Sequence, residues 1–274
     1  MLRLKQLFDF YLDASIHVAL AVFALTVVSG LMLSIPFDTH LSTFLFFGTI
    51  AAYNFVKYGV EAKKYILVAN AYHKNIQVLS LLCLAISVYH AFFFTWQVWK
   101  CILFLLFLTG LYALPVLPHS RNIRSWGGFK IFVVAMVWSG TTVHLPVISG
   151  KLALDWDVWV LAFQRFVLVL VLLLPFEVRD LKYDLPDLRT LPQRFGMDKV
   201  KIFGVLGAFI FFMSTFIKGS VDVLDLLSNG IALILLLLGI LFTKTEQSRY
   251  YASFWVESIP IVWCFVVWAL SLCL

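Results

Sequence analysis

The sequence predicts an all-α polytopic membrane protein of nine transmembrane helices, and three observations carry that prediction. The first is composition. Of 274 residues, 62% are hydrophobic and 13% are charged, where a soluble domain has about 45–50% apolar and about 25% charged residues. Mean hydropathy is +0.95. The second is the recurrence of apolar runs of membrane length, at about 14–35, 41–60, 75–93, 97–115, 129–148, 156–178, 199–217, 222–243 and 254–273. The third is sidedness. With the N-terminus placed inside, 17 of the 21 Lys and Arg residues fall in inner segments, as the positive-inside rule requires for an odd span count with the C-terminus outside.

The connections are short, and the chain has neither a repeat nor a low-complexity linker, so 1–274 reads as a single integral membrane domain. The opening residues to Asp13 lack a small-residue cleavage site, and no cleavable signal is expected. The net charge of +6 reflects basic inner loops rather than a nucleic-acid partner. Cys83, Cys101, Cys264 and Cys273 lie in or beside apolar runs and form no C-x-x-C pair. They read as packing residues rather than disulfides or metal ligands.

Taken in order, the first span carries His17, more often a packed residue than a ligand at such a position. The second ends in Y-N-F-V-K-Y-G-V-E, where Asn54, Lys57 and Glu61 are spaced three and four and would share one helical face. They could hold a cation and an anion, or form a polar helix end with Lys57 snorkelling. Trp96, Trp99 and Phe92 to Phe94, between the third and fourth spans, fit an outer aromatic belt. Beyond the fourth, Arg121, Arg124 and Lys130 supply inner charge and could meet a phosphorylated substrate. Arg165 falls inside the sixth span, where a charge needs a partner or water. Glu257 and Asp225 are the candidates for that partner.

The richest stretch closes the sixth span: P-F-E-V-R-D-L-K-Y-D-L-P-D-L-R-T-L-P-Q-R-F-G, residues 175–196. Glu177, Asp180, Asp184 and Asp187 are spaced three, four and three, so the first three line one face if the helix continues. Leu185 precedes a proline, which ends the helix near Asp184. Carboxylates in a last helical turn are opposed by the helix dipole, and a bound cation would remove that conflict. Arg179, Lys182, Arg189 and Arg194 are interleaved and could hold an anion. Acids and bases together at a membrane helix end suggest a metal–phosphate site.

This stretch resembles the second Asp-rich motif of the UbiA superfamily of intramembrane prenyltransferases in its menaquinone-type form. Arg179, Asp180, Asp184, Arg189, Thr190, Leu191 and Gly196 match it. The Tyr112–Pro115 pattern before the basic loop is also similar, and the expected spans and orientation extend the likeness over nearly the whole chain. In the family's first motif only the Asn, here Asn54, is matched. Phe55, Tyr58 and Ala62 stand where the family has Asp, and Glu61 is one residue short of the last.

The resemblance implies a nine-helix UbiA-type bundle that moves an isoprenyl group from its diphosphate to an aromatic or other lipophilic acceptor with magnesium. Asp180 and Asp184 would be catalytic and hold Mg2+, with Glu177, Asn54 and Glu61 completing a reduced site. Lys57, Arg121, Lys130 and Lys182 would contact the diphosphate. The expected setting is a bacterial inner membrane, with the Asp-rich loop cytoplasmic. Two other readings stay open: a non-catalytic protein of this fold that binds a prenyl lipid, and a small transporter using Arg165 and Glu257.

Overall fold

The computed structural model describes residues 2–60, 71–113, 129–183 and 190–274. All regular structure in them is helical. Helix α1 (Leu2–Asp13) is set at 59° to α2 (Ile16–Met32). Next come α3 (Thr39–Asn54), which runs on as a π-helix over Phe55–Val60, then α4 (Ala71–Ala91) and α5 (Trp96–Ala113). Helix α6 (Phe129–Ser139) passes through a π segment, Gly140–His144, into α7 (Leu145–Ser149). After α8 (Trp156–Asp180) come α9 (Leu191–Met213) and α10 (Val223–Leu241). A third π segment, Tyr251–Val256, leads into α11 (Ile259–Cys273).

The chain is a membrane protein. Among the described residues six helices are long and apolar enough to cross a bilayer, or seven if α1 and α2 count as one bent span. The expected nine are not reached by that measure among the described residues; α3 has 16 residues before its π segment.

Helix α8 is the most buried of these spans and forms the axis of the bundle. Leu168, Val171 and Leu172 of α8 share one core with Val22 and Leu25 of α2, Ile131 and Ala135 of α6, Phe211 of α9 and Trp263 of α11. Helix–helix association in lipid depends on close fit rather than on hydrophobic burial. Gly204 on α9 shows that fit: a Cβ there would stand 2.6 Å from Ile240 Cδ1 of α10. The outward faces of α4, α5, α9, α10 and α11 expose Leu81, Phe104, Leu206, Leu238 and Phe265, as a lipid-facing surface should.

Several buried polar groups in the bundle bond to neighbouring helices. Thr215 Oγ1 accepts from Gln164 Nε2 (3.2 Å) and from Asn229 Nδ2 (3.0 Å), which ties α8 and α10 to the end of α9. Arg165 does not pair with either expected acid. Its guanidinium donates to Leu25 O (2.9 Å) and Ser29 Oγ (3.1 Å) on α2 and lies over the Trp263 ring. Asp225 pairs instead with Lys218. His17 is a packing residue, as its position suggested. Its Nε2 donates to Phe254 O (3.1 Å), so its Nδ1 accepts from Tyr11 OH (2.6 Å). The four cysteines are unpaired.

Helix α1 is fastened through its acids. Asp9 accepts from Tyr250 OH (2.8 Å), and Asp13 accepts from Arg249 Nη2 (2.9 Å) and Tyr72 OH (2.9 Å). The Asp13 carbonyl, left open at the helix end, accepts from Lys57 Nζ (3.2 Å) and Tyr58 OH (2.9 Å). Partial burial works against the charge on Arg249. Its hydrogen bonds to Asp13, with the nearby Asp9 carboxylate, outweigh that and raise its pKa.

The Gly204 contact yields a test. Gly204→Leu should force α9 and α10 apart and cost about 1–3 kcal/mol of stability, read as a lowered unfolding midpoint in detergent. Adding Ile240→Ala should recover part of it, because the clash is with that one side chain.

Candidate active site

The last turns of α8 carry the predicted acids, and the helix ends at Asp180 rather than near Asp184. Pro175 sits inside α8 without an N–H to give the preceding turn. Its carbonyl accepts from Gln247 Nε2 at 2.8 Å, which ties α8 to the segment before α11. Beyond Asp180 the chain turns through Leu181 to Tyr183. Thr190 then opens α9, with its N–H donating to Gln193 Oε1 at 3.0 Å. Gly196, a matched motif position, has φ 77° and marks a break in α9 that favours glycine.

A cavity of about 200 Å³ opens where α8, α6, α3 and the start of α11 meet. Four charged residues stand around it: Lys130 of α6, Glu177 and Asp180 of α8, and Glu257 between the last π segment and α11. Deeper along α8 its wall is Phe176, Leu173, Leu172 and Val169, with Tyr53 and Trp138 opposite. Trp138 Nε1 donates to Tyr53 OH at 2.7 Å, so the two rings are held edge to face. From Asp180 to Val169 the wall runs roughly 16 Å along the helix axis. The cavity therefore joins a charged rim to an apolar, aromatic interior.

The rim acids are matched by cations. Lys130 Nζ lies 2.6 Å from Glu177 Oε1, the acid side chain almost fully buried. Arg179 Nε and Nη2 reach the two carboxylate oxygens of Asp180 at 2.7 and 3.2 Å, and the guanidinium also covers the Phe176 ring. These pairs remove the conflict between the acids and the helix dipole without a bound ion.

Of the expected site residues, Glu177, Asp180 and Lys130 meet at this cavity. Lys182 is exposed in the turn after α8. Asn54 and Lys57 lie elsewhere. The Asn54 carboxamide accepts from Ser15 Oγ (2.8 Å) and donates to Ala14 O (3.0 Å) and Ser80 Oγ (2.9 Å), so it holds α2, α3 and α4 together. Lys57 lies against Asp13. The expected shared face breaks because the α-helix ends at Asn54 and a π-helix follows. Asp184, Glu61 and Arg121 lie outside the described residues.

Sequence reasoning missed Tyr53 and Trp138 as cavity walls and placed Glu257 only as a partner for Arg165. A carboxylate within an otherwise apolar span was the available signal for Glu257. Among the described residues, no three Asp, Glu, His or Cys side chains lie close enough to hold a metal ion. Glu177 and Asp180 are already engaged by Lys130 and Arg179. The described donors do not form a magnesium site, and no chemical step is derived through one.

Neither a known protein-family profile nor a curated protein matches the sequence. Solved structures do. A UbiA homolog from Aeropyrum pernix K1, in its apo form, superposes with a TM-score of 0.66 at 11% identity, over 93% of this chain and 98% of that one. The fold is that of UbiA. A UbiA homolog from Archaeoglobus fulgidus bound to GPP and Mg2+ gives 0.60 at 12% identity, over 95% of this chain and 98% of that one. A digeranylgeranylglyceryl phosphate synthase gives 0.53 at 13% identity, over 98% of each chain. These likenesses span nearly the full length of this UbiA-fold chain.

The Lys130–Glu177 pair can be tested for structural against functional weight. Lys130→Met should cost about 2–4 kcal/mol, since it strips a buried carboxylate of its cation. The double variant Lys130→Met with Glu177→Leu should regain most of that stability in a thermal unfolding scan. It should not regain binding of geranyl diphosphate measured by calorimetry.

Proposed function

We propose that this protein is an intramembrane prenyltransferase that moves an isoprenyl group from its diphosphate to a lipophilic acceptor. The observation that carries the reading is the cavity, with a charged rim that leads directly into an aromatic pocket inside the bilayer. A diphosphate needs cations and a polar mouth, and an isoprenyl chain needs an apolar interior. Structures of a UbiA homolog from Archaeoglobus fulgidus hold GPP or DMAPP together with Mg2+, which supports a substrate of this class.

In the reaction proposed, the allylic C–O bond breaks and its electron pair leaves on the diphosphate. Lys130 stands at the rim and Lys182 is exposed just beyond it. They are the described cations that would draw off the developing charge, joined by Arg121 of the preceding loop. The prenyl carbon is left cation-like, and the faces of Phe176, Tyr53 and Trp138 suit it electrostatically. The apolar walls of Leu172, Leu173 and Val169 limit the water that could capture it. A nucleophilic atom of the acceptor then forms the new bond and sheds its proton. Asp180 and Asp184 are the acids assigned to the reaction, with magnesium as the expected cofactor. The setting assigned is a bacterial inner membrane with the N-terminus and the Asp-rich segment on the cytoplasmic side.

A second reading has one specific observation behind it. Asp180, the described motif acid, and its neighbour Glu177 are both ion-paired, and the second span lacks the partner motif. This is the arrangement of a protein that binds a prenyl diphosphate without turning it over.

Purified protein in detergent, given geranyl diphosphate with and without Mg2+ over a panel of phenols, naphthols and alcohols, separates the two. Transfer should appear, and Asp180→Asn and Asp184→Asn should each lower it by about 10²-fold or more. Undiminished transfer in both variants would remove these acids from the reaction. Diphosphate binding without transfer across the panel would favour the binding protein.

A further inference from the structure

The cavity has a floor, and two helices agree on its depth. Below the charged rim at Lys130 of α6 and Glu177 of α8, the wall descends eight residues on each helix, to Trp138 and to Val169. At about 1.5 Å of rise per residue that is roughly 12 Å. Beneath Trp138 the core is packed: Ala135, Leu168 and Leu25 of the same cluster have no exposed surface. The indole is also tied in place, since its Nε1 donates to Tyr53 OH on α3 at 2.7 Å. A rotation that lowered the floor would break that bond and drive the ring into close-packed neighbours. Along the seam between α6 and α8, the Phe132 and Phe166 rings meet at 6.2 Å.

Volume sets the same limit as depth. An apolar protein cavity of about 150 Å³ holds one benzene, so roughly 25 Å³ serves each carbon. The cavity of about 200 Å³ then has room for about eight carbons. The one or two carbons nearest the diphosphate lie in the open rim and draw little on that space. An isoprene unit lengthens a chain by about four carbon–carbon bonds, or roughly 5 Å in zigzag. Two units reach about 10 Å and stop at Trp138, whereas three reach about 15 Å and exceed both the depth and the volume.

We propose that Trp138 is the floor that sets prenyl chain length, and that the protein takes allylic diphosphates of one or two isoprene units and excludes farnesyl and longer chains. This rests on the prenyltransferase reading and names the donor class of that same cavity. The discrimination is steric. Overfilling a packed site forces side chains off their rotamers and shifts backbone, whereas a shorter chain leaves space behind it. The limit is therefore sharp above two units and shallow below them. Removing the indole would join the cavity to the space the ring fills, directly on the line of the chain.

Binding of donors that resist ionisation tests this. Protein in detergent with Mg2+ is titrated calorimetrically with dimethylallyl, geranyl and farnesyl S-thiolodiphosphates. The wild type should bind the first two, and farnesyl at least about tenfold more weakly than geranyl. Trp138→Ala should bring farnesyl to within about twofold of geranyl, and retained dimethylallyl binding shows that the variant is folded. Trp138→Leu, which keeps an apolar side chain in the core, takes its place should the alanine variant not fold. Leu172→Trp, one turn above the floor, should do the reverse and weaken geranyl against dimethylallyl by at least about tenfold. Reading the change in each ratio between variants removes any difference in how the probes partition into detergent. Farnesyl binding to the wild type as tightly as geranyl, as a chain leaving sideways between helices would give, overturns the inference. So does a farnesyl penalty that persists in a folded Trp138 variant, or a Leu172→Trp protein that holds geranyl as the wild type does. A length limit found in a protein without transfer would count against the transferase reading and leave the floor standing, whereas binding of no probe to the wild type would overturn both.

Discussion

A carboxylate at the C-terminal end of a membrane helix is opposed twice, by desolvation and by the helix dipole. The basic end of this bundle is arranged around that constraint. Glu177 and Asp180 must sit at the end of α8 to face the cavity, and α8 is the most buried helix of the fold. Each acid is accordingly matched by a cation at 2.6–2.7 Å. Arg179 comes from the same turn and Lys130 from the start of α6, so closing the Glu177 pair also fixes how α6 lies against α8. The cavity between those helices joins the paired acids Glu177 and Asp180 at its rim to apolar walls.

The same balance changes what the missing acids of the second span mean. Lys57 stands inside the stretch where the resembled motif has its aspartates, but it does not face the α8 acids. It lies against Asp13 at the end of α1, in a network with Tyr58, Tyr72 and Arg249. Asp13 is the acid that Lys57 meets, and the network fastens α1 to the bundle. Asn54, the one matched residue of that motif, is likewise spent on Ser15, Ala14 and Ser80. Asn54 and Lys57, the described residues of that face, hold neighbouring helices together.

Much of the fold was legible because lipid imposes a simple rule: apolar runs become helices, and charge collects on one side. The acids of α8 were legible for a related reason, since charge at the end of so apolar a helix needs a purpose. The features that stayed hidden depended on helix register. The spacing of Asn54, Lys57 and Glu61 implied a shared face only while the helix stayed α, and it becomes π at Phe55. Helix α8 stops at Asp180, four residues short of the proline-based expectation, so Asp180 is its last helical residue. The partners of Arg165 left no pattern to read, because a backbone carbonyl and a serine hydroxyl can be supplied by any neighbouring helix.

Arg165 and Glu257 are both ionisable groups inside apolar spans, and each is a functional candidate on that ground alone. Their surroundings separate them. The Arg165 guanidinium is fully buried, donates twice to α2 and is covered by Trp263, so it acts as a cross-link between α8, α2 and α11. Among the described residues Glu257 has no such partner, and it borders the cavity. A charge that the fold satisfies internally stabilises the fold. By that criterion Arg165 is part of the scaffold that holds α2, α8 and α11 together beside the cavity.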